Sequence, residues 1–84
     1  MVIIYTNYAE DTILDRNISK EEIKYALFNS DEIIPGKNDR KIAHKIIGNK
    51  LLKVIFEYNK KDYIVITAYY TKPERYMKNE NKIW

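Results

Sequence analysis

Three apolar, β-branched runs follow one another in the second half of the chain and are separated by short polar segments. The runs span residues 40–47, 51–58 and 63–70. The segments between them, residues 48–50 (Gly-Asn-Lys) and 59–62 (Asn-Lys-Lys-Asp), have the length and the composition of β-hairpin loops. The pattern therefore predicts three consecutive antiparallel strands.

The first half of the chain opens with a strand signal and then a helix signal. Residues 2–5 form a β-branched run, which predicts a short strand at an edge of the sheet. Within residues 8–16 the apolar residues Ala9 and Ile13 lie four positions apart, which is the spacing of one face of a helix. We therefore expect a short strand followed by a first amphipathic helix.

The second helix has a stronger start signal. Ser19 and Glu22 have the spacing of a capping box, in which each residue bonds the backbone N–H of the other. Ile18 and Ile23 occupy the two hydrophobic staple positions around that box. These signals predict a helix over residues 20–29.

Two helices followed by antiparallel strands make an α+β domain, with the helices packed on one face of the sheet. Residues 33–34 give one further short strand signal. The alternation of side chains along a strand assigns these residues to the helix side: Leu52, Val54, Phe56, Ile64, Ile66 and Ala68. It assigns these to the second face: Lys53, Ile55, Glu57, Tyr63, Val65, Thr67 and Tyr69. In the run 40–47 each face receives two apolar residues, so the direction of His44 stays open.

Length and composition limit the class of protein. Eighty-four residues make one domain. The absence of cysteine excludes disulfides, thiolate metal sites and a thiol nucleophile, and one histidine with scattered carboxylates does not supply a zinc site. We therefore expect no metal and no cofactor. No run approaches the roughly 18 apolar residues of a membrane span and no signal peptide is recognisable, so we expect a cytoplasmic protein without membrane contact.

The charge is divided unevenly along the chain. Residues 1–36 hold three cationic and seven acidic side chains, whereas residues 37–61 hold eight cationic and two acidic ones. The only histidine, His44, lies in the basic segment. A basic sheet that carries histidine and tyrosine is a suitable platform for a polyanion such as RNA.

The order of these features resembles a known family. A short strand and two helices, the second opening with Ile-Ser-Lys-Glu-Glu, precede the segments Arg-Lys, Leu-Leu-Lys-Val-Ile and Val-Ile-Thr-Ala-Tyr-Tyr-Thr. Over residues 3–77 this is similar to a family of small bacterial and archaeal domains related to the BrnT and RelE ribonuclease toxins, in the barnase–EndoU–colicin–RelE (BECR) superfamily. The positions that match are Arg40, Lys45, Tyr69, Thr71 and Tyr76. Two positions depart from the family pattern. Tyr8, before Ala9, stands where the family usually has His, and Lys53 stands where the family usually has Arg.

The resemblance implies a fold, an activity and partners. The fold is a RelE/BrnT-like domain over residues 1–77, with two N-terminal helices on one face of a four-stranded antiparallel sheet and RNA on the other. The polar composition of the last residues predicts a flexible polar tail over residues 78–84. The activity is that of a metal-independent endoribonuclease toxin (an mRNA interferase, hence a hydrolase) of a toxin–antitoxin system. The partners are RNA and a co-encoded antitoxin protein, in a homodimer or a toxin–antitoxin hetero-oligomer. The alternative is a non-catalytic RNA- or protein-binding module on the same scaffold.

The residues themselves offer the chemistry for such cleavage. Without a metal, the neighbouring 2′-hydroxyl attacks the phosphate, so a base, an acid and cations near the phosphorane are needed. A histidine titrates near neutral pH and can serve as base or acid. The candidate catalytic residues are His44, Lys45, Lys53, Glu57 and Tyr69. An ion pair between Glu57 and one of the two lysines is an alternative reading of the same residues.

Further cations and phenol rings in this half of the chain can bind RNA without taking part in the reaction. Cations hold phosphate oxygens, and tyrosine rings stack on unpaired bases for roughly 1–3 kcal/mol each. The candidate RNA-binding residues are Arg40, Lys41, Tyr70, Lys72, Arg75 and Tyr76.

Overall fold

The computed structural model describes residues 2–72. The helices are α1 (Asn7–Asp15) and α2 (Lys20–Phe28). The strands are β1 (Ile3–Tyr5), β2 (Glu32–Pro35), β3 (Lys41–Ile47), β4 (Lys50–Asn59) and β5 (Asp62–Thr71). The expected tail over residues 78–84 and the candidate residues Arg75 and Tyr76 lie outside the described residues. No described helix has both the length and the apolar character needed to cross a membrane.

The five strands form one sheet in the order β1-β5-β4-β3-β2. The pairs from β2 to β5 are antiparallel, which confirms the predicted run of three strands and the short strand signal at residues 33–34. β1 lies parallel to β5, with Ile3 opposite Tyr63 and Tyr5 opposite Val65. The expected four-stranded antiparallel sheet is therefore wrong in strand number and in the direction of β1. No hairpin joins β1 to a neighbour, so no local signal fixed that direction.

Both helices begin at the side-chain caps that their sequences offer. The Oγ1 of Thr6 accepts a hydrogen bond from the N–H of Ala9 at the start of α1. At the start of α2 the Oγ of Ser19 accepts from the N–H of Glu22 at 3.0 Å, and Oε1 of Glu22 accepts from the N–H of Ser19 at 2.7 Å. The predicted capping box is confirmed, and it satisfies two backbone N–H groups that the first turn of α2 would otherwise leave unpaired.

The hydrophobic core lies between the two helices and one face of the sheet. The helices contribute Ala9, Ile13, Ile23, Ala26 and Leu27, and the sheet contributes Ala43, Leu52, Val54, Phe56, Tyr63, Val65 and Ala68. The predicted α+β arrangement is confirmed, as is the assignment of Leu52, Val54 and Phe56 to the helix side. Leu51 is also fully buried, although it precedes Leu52 in β4 and therefore points to the face opposite the helices. It does not belong to the core cluster.

A bulge between β4 and β5 changes which residues of β5 face the helices. Ile55 lies opposite Thr67, but the next residue, Phe56, lies opposite Val65, so Ile66 has no partner in the register. An extra residue in one strand reverses the alternation beyond it. Val65 therefore shares the helix side with Phe56.

The bulge separates the correct assignments in β5 from the wrong ones. Ala68 faces the helices, as predicted, because it lies opposite Val54 on the far side of the bulge. Tyr63 and Val65 belong to the helix-side core, so their assignment to the second face is wrong. Ile64, opposite Glu57, belongs to the second face, so its assignment to the helix side is wrong. The alternation in the sequence carries no mark of a bulge, which is why the error begins at that point.

Candidate functional site

A row of polar side chains crosses the sheet on the face opposite the helices. Glu32 in β2 lies opposite His44 in β3, His44 lies opposite Lys53 in β4, and Lys53 lies opposite Tyr69 in β5. Directly paired residues on neighbouring strands point to the same face. Lys53 alternates with the core residues Leu52 and Val54, so this face is the one away from the helices. We call these four residues the polar row.

The imidazole of His44 is oriented by the carboxylate of Glu32. Its Nδ1 lies 2.7 Å from Oε2 of Glu32, and the imidazole has no exposed surface, whereas 29% of the Glu32 side chain is exposed. Burial lowers the pKa of His44, and the neighbouring Lys53 ammonium lowers it further, against the opposing effect of Glu32. The imidazole is therefore neutral at neutral pH. Because Nδ1–H donates to Glu32, the basic lone pair lies on Nε2.

Two cations approach the ring of Tyr69. The Nζ of Lys53 lies 5.5 Å from the ring centroid, and the Cζ of Arg16 lies 5.7 Å from it. Both distances are within the range of cation–π attraction. Lys53 is 6% exposed, so its ammonium is held within the sheet face rather than in solvent.

Arg16 reaches the polar row from the C-terminal end of α1. β1 ends opposite Val65, and beyond that point Nη1 of Arg16 donates to the carbonyl oxygen of Ala68 at 2.9 Å and to Oγ1 of Thr67 at 3.3 Å. The guanidinium thus continues the polar row at the edge of β5. The sequence analysis did not identify Arg16 or Glu32. Glu32 reaches the polar row because β2 pairs with β3, and Arg16 reaches it because α1 ends beside β5, and neither arrangement has a local sequence signal.

Three of the sequence candidates, Lys41, Lys45 and Tyr70, lie on the helix side of the sheet, because each is paired with a core residue. Lys45 lies opposite Leu52, and its Nζ is 3.3 Å from Oδ1 of Asp31 and 5.2 Å from the centroid of the Tyr25 ring. The strands therefore separate Lys45 from the polar row.

Tyr70 ties β5 to the start of α2. It is paired with Leu52, and its hydroxyl donates to Oε2 of Glu22 at 2.6 Å. Burial and this bond raise the pKa of Tyr70 to about 12. The hydroxyl therefore stays protonated across the physiological pH range.

Glu57 forms an ion pair with Arg40 and lies on the same face as the polar row. The Nε of Arg40 is 3.0 Å from Oε2 of Glu57. Glu57 is four positions beyond Lys53 along β4, so it stands apart from His44. The sequence suggested an ion pair of Glu57 with Lys45 or Lys53, whereas the structure pairs Glu57 with Arg40. Lys41 lies opposite Phe56 and therefore on the helix side, and Lys72 follows β5.

Comparison with known proteins gives a family. Residues 5–70, well over half of the chain, match the family model described as a domain of unknown function, DUF4258. The chain belongs to the DUF4258 family. No curated protein and no solved structure matches it.

The polar row gives this DUF4258 domain a specific set of chemical groups. A neutral imidazole held by a carboxylate can accept a proton and stabilise the resulting charge. An ammonium and a guanidinium flanking a phenol can stabilise an anion beside it. Within residues 2–72 no three His, Asp or Glu side chains are grouped as metal ligands.

Proposed function

We propose that this DUF4258 chain is a metal-independent endoribonuclease and that the polar row is its reaction centre. The observation that supports the proposal is the carboxylate-held imidazole of His44 beside the ammonium of Lys53. These two groups and Tyr69 are three of the five catalytic candidates drawn from the sequence. The basic character of residues 37–61 suits an RNA substrate.

In the proposed reaction the 2′-hydroxyl of RNA attacks the adjacent phosphorus. Nε2 of His44 accepts the hydroxyl proton, and Glu32 stabilises the imidazolium that forms. The new bond joins the 2′-oxygen to phosphorus, and the bond from phosphorus to the 5′-oxygen breaks. Lys53 and Arg16 stabilise the charged phosphorane, and the departing 5′-oxygen takes a proton from the imidazolium or from Tyr69. The products are a 2′,3′-cyclic phosphate and a 5′-hydroxyl.

The burial of His44 and Lys53 adds a requirement to this proposal. RNA cannot contact these two side chains in this conformation, since His44 is 0% exposed and Lys53 is 6% exposed. Cleavage therefore requires a rearrangement that uncovers this face. We propose that the chain acts in the cytoplasm as the toxin of a toxin–antitoxin pair, whose acidic antitoxin would complement the basic segment.

The same burial favours a second candidate, a non-catalytic RNA- or protein-binding module. In that case the Glu32–His44 pair is a structural contact that holds β2 against β3. The surface cations would bind RNA phosphates without a reaction, and affinity would fall steeply with salt.

One experiment separates the two candidates. The purified full chain is incubated with single-stranded RNA in EDTA, and the 3′ ends of any fragments are analysed. We expect fragments that end in a 2′,3′-cyclic phosphate. Cleavage by the wild type and by a Lys61→Gln control, with none by His44→Asn, would support the reaction centre. Salt-sensitive binding without cleavage, on free or ribosome-bound RNA, would support the binding module.

A further inference from the structure

The edges of the sheet differ in how they are protected from another strand. β2 carries Pro35, whose nitrogen has no hydrogen to offer. The part of β5 beyond β1 has the carbonyl oxygen of Ala68 bonded to Arg16. β1 has neither of these devices, since its three residues are Ile-Ile-Tyr without proline or charge, and only its short length limits strand addition. Exposed strand edges of this kind are templates for strand addition.

The hydrogen bonds of β1 show which of its backbone groups face outward. The N–H of Tyr63 donates to the carbonyl of Val2 at 2.9 Å, and the N–H of Thr6 donates to the carbonyl of Val65 at 3.2 Å. Alternate residues of a parallel strand bond to the same neighbour. The N–H and carbonyl groups of Ile3 and Tyr5 therefore point away from β5.

A groove lies beside this edge, between β1 and α2. It is lined by Ile3, Tyr5, Lys20, Glu21, Lys24 and Phe28. Phe28 is 45% exposed, which gives the groove an apolar surface. Lys20 is engaged, with its Nζ 3.0 Å from Oε2 of Glu10 and 4.7 Å from the Tyr5 ring centroid. Lys24 forms no ion pair with any residue in the range 2–72, so its charge is available to a partner.

We propose that the edge of β1 binds an extended segment of a partner protein by strand addition. The backbone of that segment bonds to Ile3 and Tyr5. Its side chains on the groove side place an apolar group over Ile3 and Phe28 and a carboxylate beside Lys24. This surface is separate from the polar row, so the proposal does not rest on the proposed function.

Charge decides against a second copy of this chain as the occupant. Two β1 strands paired antiparallel around a two-fold axis would place both α2 helices on the same side of the joined sheet. Each groove would then meet the same groove of the other copy, so each Lys24 would meet a lining that carries lysines as well as Glu21, and the like charges in it are unfavourable. A segment with a single carboxylate offers Lys24 attraction alone, and because Glu21 also lines the groove, that carboxylate must lie beside Lys24.

The test uses the full chain labelled with ¹⁵N and the peptide acetyl-Thr-Val-Thr-Glu-Thr-amide, in which Val and Glu share one face. We expect slower hydrogen exchange and shifted resonances at the amides of Ile3 and Tyr5. A control peptide with Lys in place of Glu is expected to bind roughly threefold more weakly. In the Lys24→Glu variant, which changes an exposed helix position, the preference between the two peptides is expected to reverse.

Several results would overturn the proposal. One is the absence of any change at Ile3 and Tyr5 at about 5 mM peptide, a concentration at which even a millimolar dissociation constant gives a signal. Another is a response confined to Ile33 at the β2 edge. A third is sedimentation of the free chain as a dimer with Ile3 and Tyr5 already protected, which would identify a second copy as the occupant.

Discussion

The two faces of the sheet are built from alternate residues of the same strands, yet they differ in kind. The helix side buries apolar residues such as Val54 and Phe56 against α1 and α2. The other face buries His44 and Lys53. Burial of apolar groups stabilises a fold directly, whereas burial of a titratable group costs free energy unless its partners compensate. The helix side therefore stabilises the fold, and the opposite face carries the residues that we propose are functional.

The largest expected effect on this comparison comes from replacing the imidazole. His44→Asn keeps an N–H that can donate to Glu32 but removes the group that accepts a proton. We expect cleavage in EDTA to slow by roughly 10²- to 10⁴-fold. Circular dichroism and the melting temperature should stay close to the wild type. Unchanged cleavage by a folded His44→Asn variant would show that His44 takes no part in the reaction.

On the helix side the largest effect is on stability rather than on activity. Phe56→Ala removes a fully buried ring and is expected to lower the free energy of unfolding by about 3–5 kcal/mol. Tyr58→Ala is the control on the same strand, because Tyr58 is 51% exposed. Urea unfolding would measure both. Equal losses would show that the core between the helices and the sheet is not packed as described.

Two lysines one strand apart offer a matched test of the two faces. Lys53→Gln and Lys45→Gln remove the same charge, but only Lys53 belongs to the polar row. We expect Lys53→Gln to slow cleavage by roughly 10- to 100-fold and Lys45→Gln to change it by less than about threefold. Measuring kcat and KM for both separates loss of reaction from loss of RNA binding. The reverse order would place the reaction on the helix side.

The smallest expected effect is a dependence of stability on pH. The pKa of His44 is lowered in the folded chain, so the unfolded chain binds the proton more readily. Below about pH 6.5, the ordinary value of histidine, stability is expected to fall as pH falls, by at most about 1.4 kcal/mol per pH unit. Urea unfolding between pH 7.5 and 5 would measure this, and His44→Asn should remove that part of the slope. An equal slope in the variant would assign it to carboxylates.

The sequence predicted those parts of the molecule whose signals are local. The capping box at Ser19 and Glu22 and the two hairpin loops need only neighbouring residues, and all three are confirmed. The pairing of Glu32 with His44 depends instead on β2 lying beside β3 in one particular register. The bulge at Ile66 depends on how β5 fits β4. Neither the Glu32–His44 pairing nor the bulge changes the alternation of apolar residues in the sequence. That alternation therefore could not show to which face His44 points.

The parallel pairing of β1 with β5 also has a consequence for the order of folding. Ile3 meets Tyr63 across about sixty residues of chain, whereas the hairpins of β3, β4 and β5 close over a few. Contacts between distant segments form slowly because the intervening chain loses its freedom first. During synthesis β1 therefore has no strand to pair with until the ribosome has made residues 63–65 of β5. We expect the hairpins to fold first and β1 to join them last.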